Sequence, residues 1–373
     1  MPETAPDLGE LIDMQIRATG PISLATYMGL CLTHPTRGYY RTADPLGAGG
    51  DFITAPEISQ MYGELIGAFI ADLYAQMGSP PSFTLLELGP GRGTLAADAL
   101  RVATRAPGLR EALTLAFYET NPALVALQRR ALAPYAPIWV DAPEDIPAGP
   151  VIVIASEFFD ALPVRQFVKR GAQWHERRVG LDNGARVFGL DPTPFPETLL
   201  PEAFHGAGDG AVAEIGLAAE EFMARLARVV APRGGAILII DYGYDATRPG
   251  DTLQAVARHA YADPLAEPGA ADLSTHVNFE VLGRAARMAG LTTQPIVTQG
   301  LFLSSLGLEH RAAALAKANP NQSEMIARAR DRLVGEEQMG RLFKVLCAGS
   351  PGLSPAGFAP GGGEPAGSDP SGV

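Results

Sequence analysis

The stretch Glu87-Leu-Gly-Pro-Gly-Arg-Gly93 decides the fold of this chain. An apolar run over 84–89 leads into it, and helix-forming residues follow from position 94. This order predicts a strand, a glycine-rich turn and a helix. Glycine has no β-carbon, so such a turn can take unusual dihedral angles and let a ligand lie against bare backbone. The first amides of the helix would then face the polar groups of that ligand.

Three kinds of ligand-binding loop can be compared with this turn. A dinucleotide-binding loop needs G-x-G-x-x-G, but Thr94 stands where its third glycine would be and Gly93 comes one residue early. A phosphate-binding loop ends in Gly-Lys-Ser/Thr, and this stretch contains no lysine. The order at Glu87, Gly89, Gly91 and Gly93 instead resembles the cofactor loop of S-adenosylmethionine-dependent methyltransferases, with Thr94 opening the helix. A glycine-rich turn without any ligand is the structural alternative.

Acidic residues follow the next two apolar runs. Glu119 ends the second run, about 30 residues after the glycine turn. A carboxylate at that strand end can accept the hydroxyl protons of a ribose, as in dinucleotide-binding folds. Asp141 and Ala142 follow the third run, where we expect contact with an adenine ring. The alternative for each acid is a solvated side chain at a strand end.

Ser156, Glu157 and Asp160 follow the fourth run and lie where a transferable methyl group would be held. Ser156 is grouped with the cofactor site. A guanidinium nucleophile has a pKa above about 12, so it needs help to lose a proton. Carboxylates can clamp it with two hydrogen bonds and take up that proton, which makes Glu157 the first catalytic candidate and Asp160 the second. Alternatively, Glu157 binds a backbone amide and Asp160 caps a turn.

Other positions are candidates for contact with a substrate. Asp51 and Phe52 follow two glycines and could form a lid or clamp an arginine-bearing peptide, with Asp51 as the third catalytic candidate. Asp241 and Tyr242 end the fifth strand and could line a substrate channel. His276 is a further candidate for substrate contact. Plain packing or a surface loop is the alternative for each.

Composition excludes several classes of function. The net charge of −12 disfavours attraction to nucleic acid or to an anionic membrane. Cys31 and Cys347 form no disulfide framework, and the six histidines lack the spacing of metal ligands, so we expect no metal. No apolar run approaches the ~20 residues of a membrane helix. We therefore expect a soluble protein of a reducing compartment, without membrane insertion.

The pattern along the chain predicts an α/β fold of the class I (Rossmann-like) methyltransferase type. It would have a seven-stranded sheet, a helical N-terminal extension and an inserted antiparallel and irregular subdomain. Strands are predicted over 84–89, 114–119, 138–141, 151–156, 236–243, near 292–297 and over 343–348, and a helix over 211–230. The expected units are 1–80, a helical extension and lid loop; 81–163, the first half of the core; 164–210, an antiparallel meander; 211–246, core; 247–277, a second, irregular insertion; 278–349, the second half of the core; and 350–373, a disordered tail.

Four separated motifs together resemble the MidA-like family of class I methyltransferases. They are Gly50-Asp-Phe-Ile-Thr-Ala-Pro-Glu-Ile-Ser59, Leu86-Glu-Leu-Gly-Pro-Gly-Arg-Gly-Thr-Leu95, Ser156-Glu-Phe-Phe-Asp-Ala-Leu-Pro163 and Asp241-Tyr-Gly243. This family contains the mitochondrial complex I assembly factor that acts as a protein arginine methyltransferase. The resemblance covers residues 8–348 and implies S-adenosyl-L-methionine as cofactor. It assigns Glu87 and the three glycines to the cofactor loop, Glu119 to the ribose and Glu157 to the active site.

The resemblance favours one function among three. The leading hypothesis is a protein arginine N-methyltransferase whose partner is an arginine-bearing subunit of respiratory complex I or its bacterial equivalent. The second is methylation of a small molecule or another protein side chain, and the third is an assembly chaperone that does not methylate its client. The chain shows no mitochondrial presequence, which suggests a bacterial, cytoplasmic homologue. The sequence predicts neither the oligomeric state nor the symmetry of methylation.

Overall fold

The computed structural model describes residues 6–42 and 54–358. The α-helices are, in chain order, α1 Leu8–Thr19, α2 Leu24–Thr33, α3 Tyr39–Thr42, α4 Ala55–Ile58, α5 Gln60–Gln76, α6 Thr94–Ala103, α7 Leu109–Ala112, α8 Pro122–Ala131, α9 Leu217–Val230, α10 Phe279–Met288, α11 Gln299–Ser305, α12 Leu308–Ala318, α13 Ser323–Val334 and α14 Met339–Leu342. The strands are β1 Ile22–Ser23, β2 Phe83–Leu88, β3 Leu113–Tyr118, β4 Ile138–Trp139, β5 Val151–Ser156, β6 Arg165–Arg170, β7 Gln173–Asp182, β8 Ala185–Phe195, β9 Val212–Ile215, β10 Gly235–Tyr244, β11 Gln254–Ala257, β12 Ala260–Tyr261, β13 Asp272–Ser274, β14 Val277–Asn278, β15 Thr292–Thr293, β16 Val297–Thr298 and β17 Phe343–Gly349. Along the described residues, no helix combines the length and apolar character needed to cross a bilayer.

The central sheet confirms the predicted α/β class. Its strands lie in the order β15-β17-β10-β5-β2-β3-β4. Strands β4, β3, β2, β5 and β10 are parallel, whereas β17 is antiparallel to β10. The short strands β15 and β16 both pair with β17 and share the seventh position. The chain runs outward from β2 to β4 and returns to β5 beside β2, so the strand order reverses there, which is where open α/β sheets bind ligands.

Helices cover both faces of this sheet. Every residue of β2 is buried, as expected for a parallel strand between two helical layers. Leu85 and Ile152 point into the core that contains α5 and α6. Leu86 and Val153, one residue further along each strand, belong to the core with α9 and α10. This alternation with a period of two explains why the central strands are continuous apolar runs.

The predicted meander is part of a larger antiparallel sheet. Its strands lie in the order β1-β7-β6-β9, and β8 pairs with β7. Ile22 of the N-terminal extension pairs with Val179, so the extension and the insertion share one sheet. The prediction of a helix over 211–230 was wrong at its start, because β9 pairs with β6 and α9 begins only at Leu217. Glu214 of β9 is buried and accepts a hydrogen bond from Gln166 at 2.7 Å, which ties β9 to β6 and extends the insertion beyond residue 210.

The second insertion, expected to be irregular, contains a small antiparallel sheet in the order β12-β11-β13. Its side chains Leu265 and Leu273 pack in one core with Ile12 and Tyr27 of the N-terminal helices. The hydroxyl of Tyr27 also donates to the carbonyl of Pro264 at 2.7 Å. The extension and the two insertions are therefore packed together.

The described structure continues past the predicted start of the tail at 350. Ser350 accepts a hydrogen bond from the backbone N–H of Gly235 at 3.0 Å. Phe358 is buried, with its ring 6.5 Å from that of Phe69 and 5.3 Å from that of Phe302. Residues 350–358 thus pack against the core through buried side chains such as Phe358, which corrects the boundary, and 359–373 lie outside the described residues.

The close packing of α5 on α6 predicts opposite effects for two helical glycines. A β-carbon at Gly67 would lie 2.2 Å from the carbonyl oxygen of Ala99, whereas one at Gly29 of α2 would meet only Pro163 at 3.9 Å. Gly67→Ala should lower the free energy of unfolding by about 1–3 kcal/mol through overpacking. Gly29→Ala should leave it unchanged or raise it by up to about 1 kcal/mol, because alanine favours helix. Chemical denaturation measures both, and equal stabilities would contradict the proposed packing.

Candidate active site

The turn after β2 needs its glycines. Gly89, Gly91 and Gly93 have φ angles of 61°, 55° and 84°, in the left-handed region that favours glycine. A β-carbon at Gly89 would also lie 3.1 Å from the ring of Phe158. The N–H of Gly89 donates to the carbonyl of Tyr118 at 3.0 Å, which joins the turn to the end of β3. Gly93 then precedes the first residue of α6.

A cavity of about 270 Å³ opens at the carboxyl ends of β2, β3 and β5. It lies where the strand order of the central sheet reverses. One side of it is aromatic: the ring centroid of Phe158 lies 5.9 Å from that of Tyr118 and 5.3 Å from that of Phe222. The sequence-predicted residues that line it are Glu87, Gly89, Gly91, Thr94, Glu119, Ser156, Glu157, Asp160 and Tyr242.

The other predicted residues lie elsewhere. Asp141 is exposed after β4, and neither it nor Ala142 lines the cavity. His276 packs edge-on against Tyr242, with ring centroids 5.7 Å apart, and lines a separate cavity of about 60 Å³. Asp51 and Phe52 lie outside the described residues.

Asp241 holds the backbone after β5 instead of lining the cavity. Its side chain is fully buried. Oδ2 accepts the N–H groups of Phe158, Phe159 and Asp160 at 3.2, 3.0 and 3.3 Å, and Oδ1 accepts that of Tyr242 at 2.9 Å. Burial raises the pKa of Asp241 well above its ordinary value, and these donors oppose that shift. Asp241 is therefore a positioning group for the turn.

Glu157 begins this turn in a strained backbone conformation. Its φ of 54° is uncommon for a residue other than glycine, and such strain concentrates at functional sites. One carboxyl oxygen, Oε1, accepts the backbone N–H of Ala55 at 2.7 Å, so the structural alternative for Glu157 also applies. Burial raises the pKa of Glu157 to about 8. Next to it, the Oγ of Ser156 lies 2.9 Å from the hydroxyl of Tyr62.

Glu119 is tied to the glycine turn through a residue that the sequence did not single out. Its Oε1 accepts the N–H of Asn121 at 2.7 Å, and its Oε2 lies 3.3 Å from the amide nitrogen of Gln128. Gln128 also donates to the carbonyl of Gly91 at 2.7 Å and accepts from the indole of Trp139 at 2.8 Å. Burial raises the pKa of Glu119. The only sequence signal for Gln128 is its place four residues after Leu124 on the buried face of α8.

The segment 54–58 is fixed to the cavity from two sides. The N–H of Ala55 reaches Glu157, and the hydroxyl of Thr94 donates to Oε1 of Glu57 at 2.6 Å. Thr54, Pro56 and Glu57 line the cavity. The first of the four sequence motifs, residues 50–59, therefore contributes to the cavity through residues 54–58, although Asp51 and Phe52 lie outside the described residues.

Comparisons with known proteins agree with this geometry. A family model described as an S-adenosyl-L-methionine-dependent methyltransferase matches residues 65–297. The mitochondrial protein arginine methyltransferase NDUFAF7 of Danio rerio is 36% identical over 359 residues, which cover 88% of this chain and 84% of that protein. The Homo sapiens protein of the same name is also 36% identical, covering 88% of this chain and 80% of its own. A crystal structure from Burkholderia thailandensis, described as a candidate methyl transferase bound to S-adenosyl-homocysteine, has a TM-score of 0.85 and 30% identity, and the match covers 97% of this chain and 98% of that one.

The buried carboxyl of Glu87 predicts a pH-dependent stability. Burial raises its pKa from the ordinary 4.5 to about 8, so its contribution is fully present below pH 4.5 and lost as the pH rises through about 8. Relative to Glu87→Gln, the wild type should lose up to about 1.4 kcal/mol per pH unit within this range. Chemical denaturation from pH 5 to 9 measures the difference. Glu111→Gln, at an exposed position, is the control, and parallel curves for wild type and Glu87→Gln would refute the shift.

Proposed function

The chain belongs to this family of S-adenosyl-L-methionine-dependent methyltransferases, and from that premise we propose that it methylates an arginine side chain of a protein. The observation that supports the reaction is the strained Glu157, a carboxyl that lines the cavity formed by the glycine turn. The relatives named as protein arginine methyltransferases support the substrate class.

The cavity residues fit the cofactor. The glycine turn offers bare backbone and the start of α6, which suit a ligand in close contact with the chain. Glu119 would accept hydrogen bonds from the ribose hydroxyls, and the aromatic side formed by Tyr118 and Phe158 suits the flat base. When bound, S-adenosyl-L-methionine would supply a methyl group on a sulfonium; an aligned guanidinium nitrogen would form the N–C bond to that carbon as the C–S bond breaks, leaving S-adenosyl-homocysteine.

Glu157 has two tasks in this reaction. It would hold the incoming guanidinium through charge-assisted hydrogen bonds, and it would take up the proton that the nitrogen loses on methylation. The Ala55 N–H fixes one carboxyl oxygen, which orients the group. Although burial raises the pKa of Glu157 to about 8, an approaching guanidinium favours the ionised form that can accept a proton.

For the client protein we propose an arginine-bearing subunit of respiratory complex I or its bacterial equivalent. Fold and cofactor alone do not determine a substrate. The choice is supported by the resemblance to the MidA-like family. Mass spectrometry of complex I purified from the source organism, with and without its gene for this protein, tests it. Loss of a methylated arginine on deletion is expected, and an unchanged pattern of arginine methylation would exclude this client.

Gly91→Val should abolish cofactor binding. Gly91 lines the cavity at a φ of 55°, where a β-branched side chain is both strained and in the way of the ligand. Gly171→Val is a matched control, because Gly171 has a φ of 56° in the β6–β7 turn, with open space around it. Isothermal titration with S-adenosyl-L-methionine should show binding by the wild type and Gly171→Val alone. Retained affinity in a folded Gly91→Val protein would mean that the turn does not hold the cofactor.

Glu157→Gln should separate binding from turnover. Glutamine keeps an acceptor for the Ala55 N–H but cannot take up a proton. The affinity for S-adenosyl-L-methionine should be unchanged, while transfer of tritiated methyl groups to complex I subunits should fall by about 100-fold or more. Glu111→Gln serves again as control. If the variant kept more than about a tenth of the wild-type rate, Glu157 would not be the proton acceptor.

A further inference from the structure

One wall of the cavity is built from two carboxyl–tyrosine pairs. Asp272 belongs to β13 of the second insertion, and one of its oxygens accepts the hydroxyl of Tyr40, from α3 of the N-terminal extension, at 2.9 Å. The hydroxyl of Tyr242 donates to Oδ2 of Asp160. All four side chains line the cavity, and the two carboxylates are 8% and 6% exposed, respectively. Residues from outside the central sheet therefore complete this wall.

The two pairs are neighbours. Burial, followed by the negative charges of Asp272 and Asp160, raises the pKa of Tyr40 well above its ordinary value, so both carboxyls lie near its hydroxyl. The N–H of Thr275, directly after β13, donates to the carbonyl of Asp160 at 3.0 Å. This bond connects the second insertion to the turn that carries Glu157.

The wall contains a buried acceptor whose hydrogen-bonding capacity is not fully used. While Oδ2 of Asp160 is bound by Tyr242, its Oδ1 is buried and receives no side-chain hydrogen bond among the described residues. Burial has the largest effect on the pKa of this carboxyl and raises it to about 6, although the nearby backbone N–H groups of Ala161 and Asp160 lower it. A buried carboxyl oxygen in this state costs free energy, which a donor from a ligand would recover. Asp160 lines the cavity, so a ligand bound there can supply that donor.

The carboxyls of the wall favour a cation. Asp160 and Asp272 belong to the wall and Glu157 lines the cavity as well, whereas Arg92 is the only lysine or arginine among the described residues that line it. A guanidinium is planar and carries five N–H donors, so it can bind several carboxyl oxygens at once. An ammonium group has three donors on one atom and matches a spread-out set of acceptors less well.

We propose that Asp272 and Asp160, oriented by Tyr40 and Tyr242, form the receptor for the guanidinium of the substrate, so that the second insertion and the N-terminal extension determine specificity for arginine. This inference rests on the proposed arginine methylation. It adds Asp272 and Tyr40 as specificity-determining residues, distinct from Gly91 and Glu119, which line the same cavity and are assigned to the cofactor.

The test measures binding instead of turnover. The full chain, saturated with S-adenosyl-homocysteine, is titrated with Nα-acetyl-L-arginine methylamide and with the corresponding citrulline and lysine compounds. The arginine compound should bind more tightly than both others. Asp272→Asn should weaken its binding by about tenfold or more, because a charged hydrogen-bond partner is lost. Glu267→Gln removes one negative charge from an exposed site of the same insertion and should change nothing.

Further measurements keep the outcomes distinct. Affinity for S-adenosyl-homocysteine and thermal unfolding report whether Asp272→Asn is folded. If it is not, Tyr40→Phe, which removes only the hydroxyl, replaces it as the test variant and should bind the arginine compound more weakly than the wild type. Wild-type affinity in the folded variant overturns the receptor. So does equal binding of the lysine compound, or no binding of the arginine compound to the wild type. If the arginine compound binds as expected but no methyl label reaches protein arginine, the proposed function fails while the receptor stands.

Discussion

The site depends on the hydrogen bonds that the carboxyl group of Asp241 accepts from the turn after β5. From β10 this carboxyl accepts the N–H groups of three successive residues after β5, and so joins two neighbouring strands of the central sheet at their carboxyl ends. These N–H groups take no part in the hydrogen bonds between strands, and burying them without a partner would cost free energy of folding. Because the turn is fixed in this way, Glu157 can persist at a positive φ and Asp160 is carried into the cavity wall. A buried acid that does not line the cavity thus places two acids that do.

Two parts of the fold line the cavity: the central sheet, and the N-terminal extension together with the two insertions. The central sheet supplies one end of the cavity through its strand ends, the glycine turn and Glu119, and we propose that this is the cofactor end, where S-adenosyl-L-methionine binds. The N-terminal extension and the two insertions, packed on one another, supply Tyr40, Asp272 and the segment 54–58. The hydrogen bonds of that segment with Glu157 and Thr94 connect these two parts of the fold. A change of substrate can therefore come from the added elements while the cofactor end stays the same.

The sequence predicts the parts of the site that have local causes. A glycine turn, buried strands and an acid at a strand end leave short patterns, so the central sheet, Gly91, Glu119 and the placement of Glu157 in the cavity follow from them. Asp272 and Tyr40 could not be found in this way, because they are 232 residues apart in the chain and meet only where the second insertion packs on the N-terminal extension. The sequence places Asp241 at a strand end, but the direction of its side chain depends on the turn of another strand. The short strand β9 was not predicted, because its four residues, next to a long helix, are too few to show the hydrophobic alternation of a strand.

The proposed function depends on where the cofactor binds, and a crystal structure of this protein with S-adenosyl-homocysteine would show that position directly. The ribose hydroxyls should donate to Glu119, the ligand should contact the backbone of Gly89 and Gly91, and its sulfur should lie on the side of Ser156 and Glu157. The turn held by Asp241 should keep its conformation. Ligand bound away from the ends of β2 and β3, or a ribose out of reach of Glu119, would contradict the account.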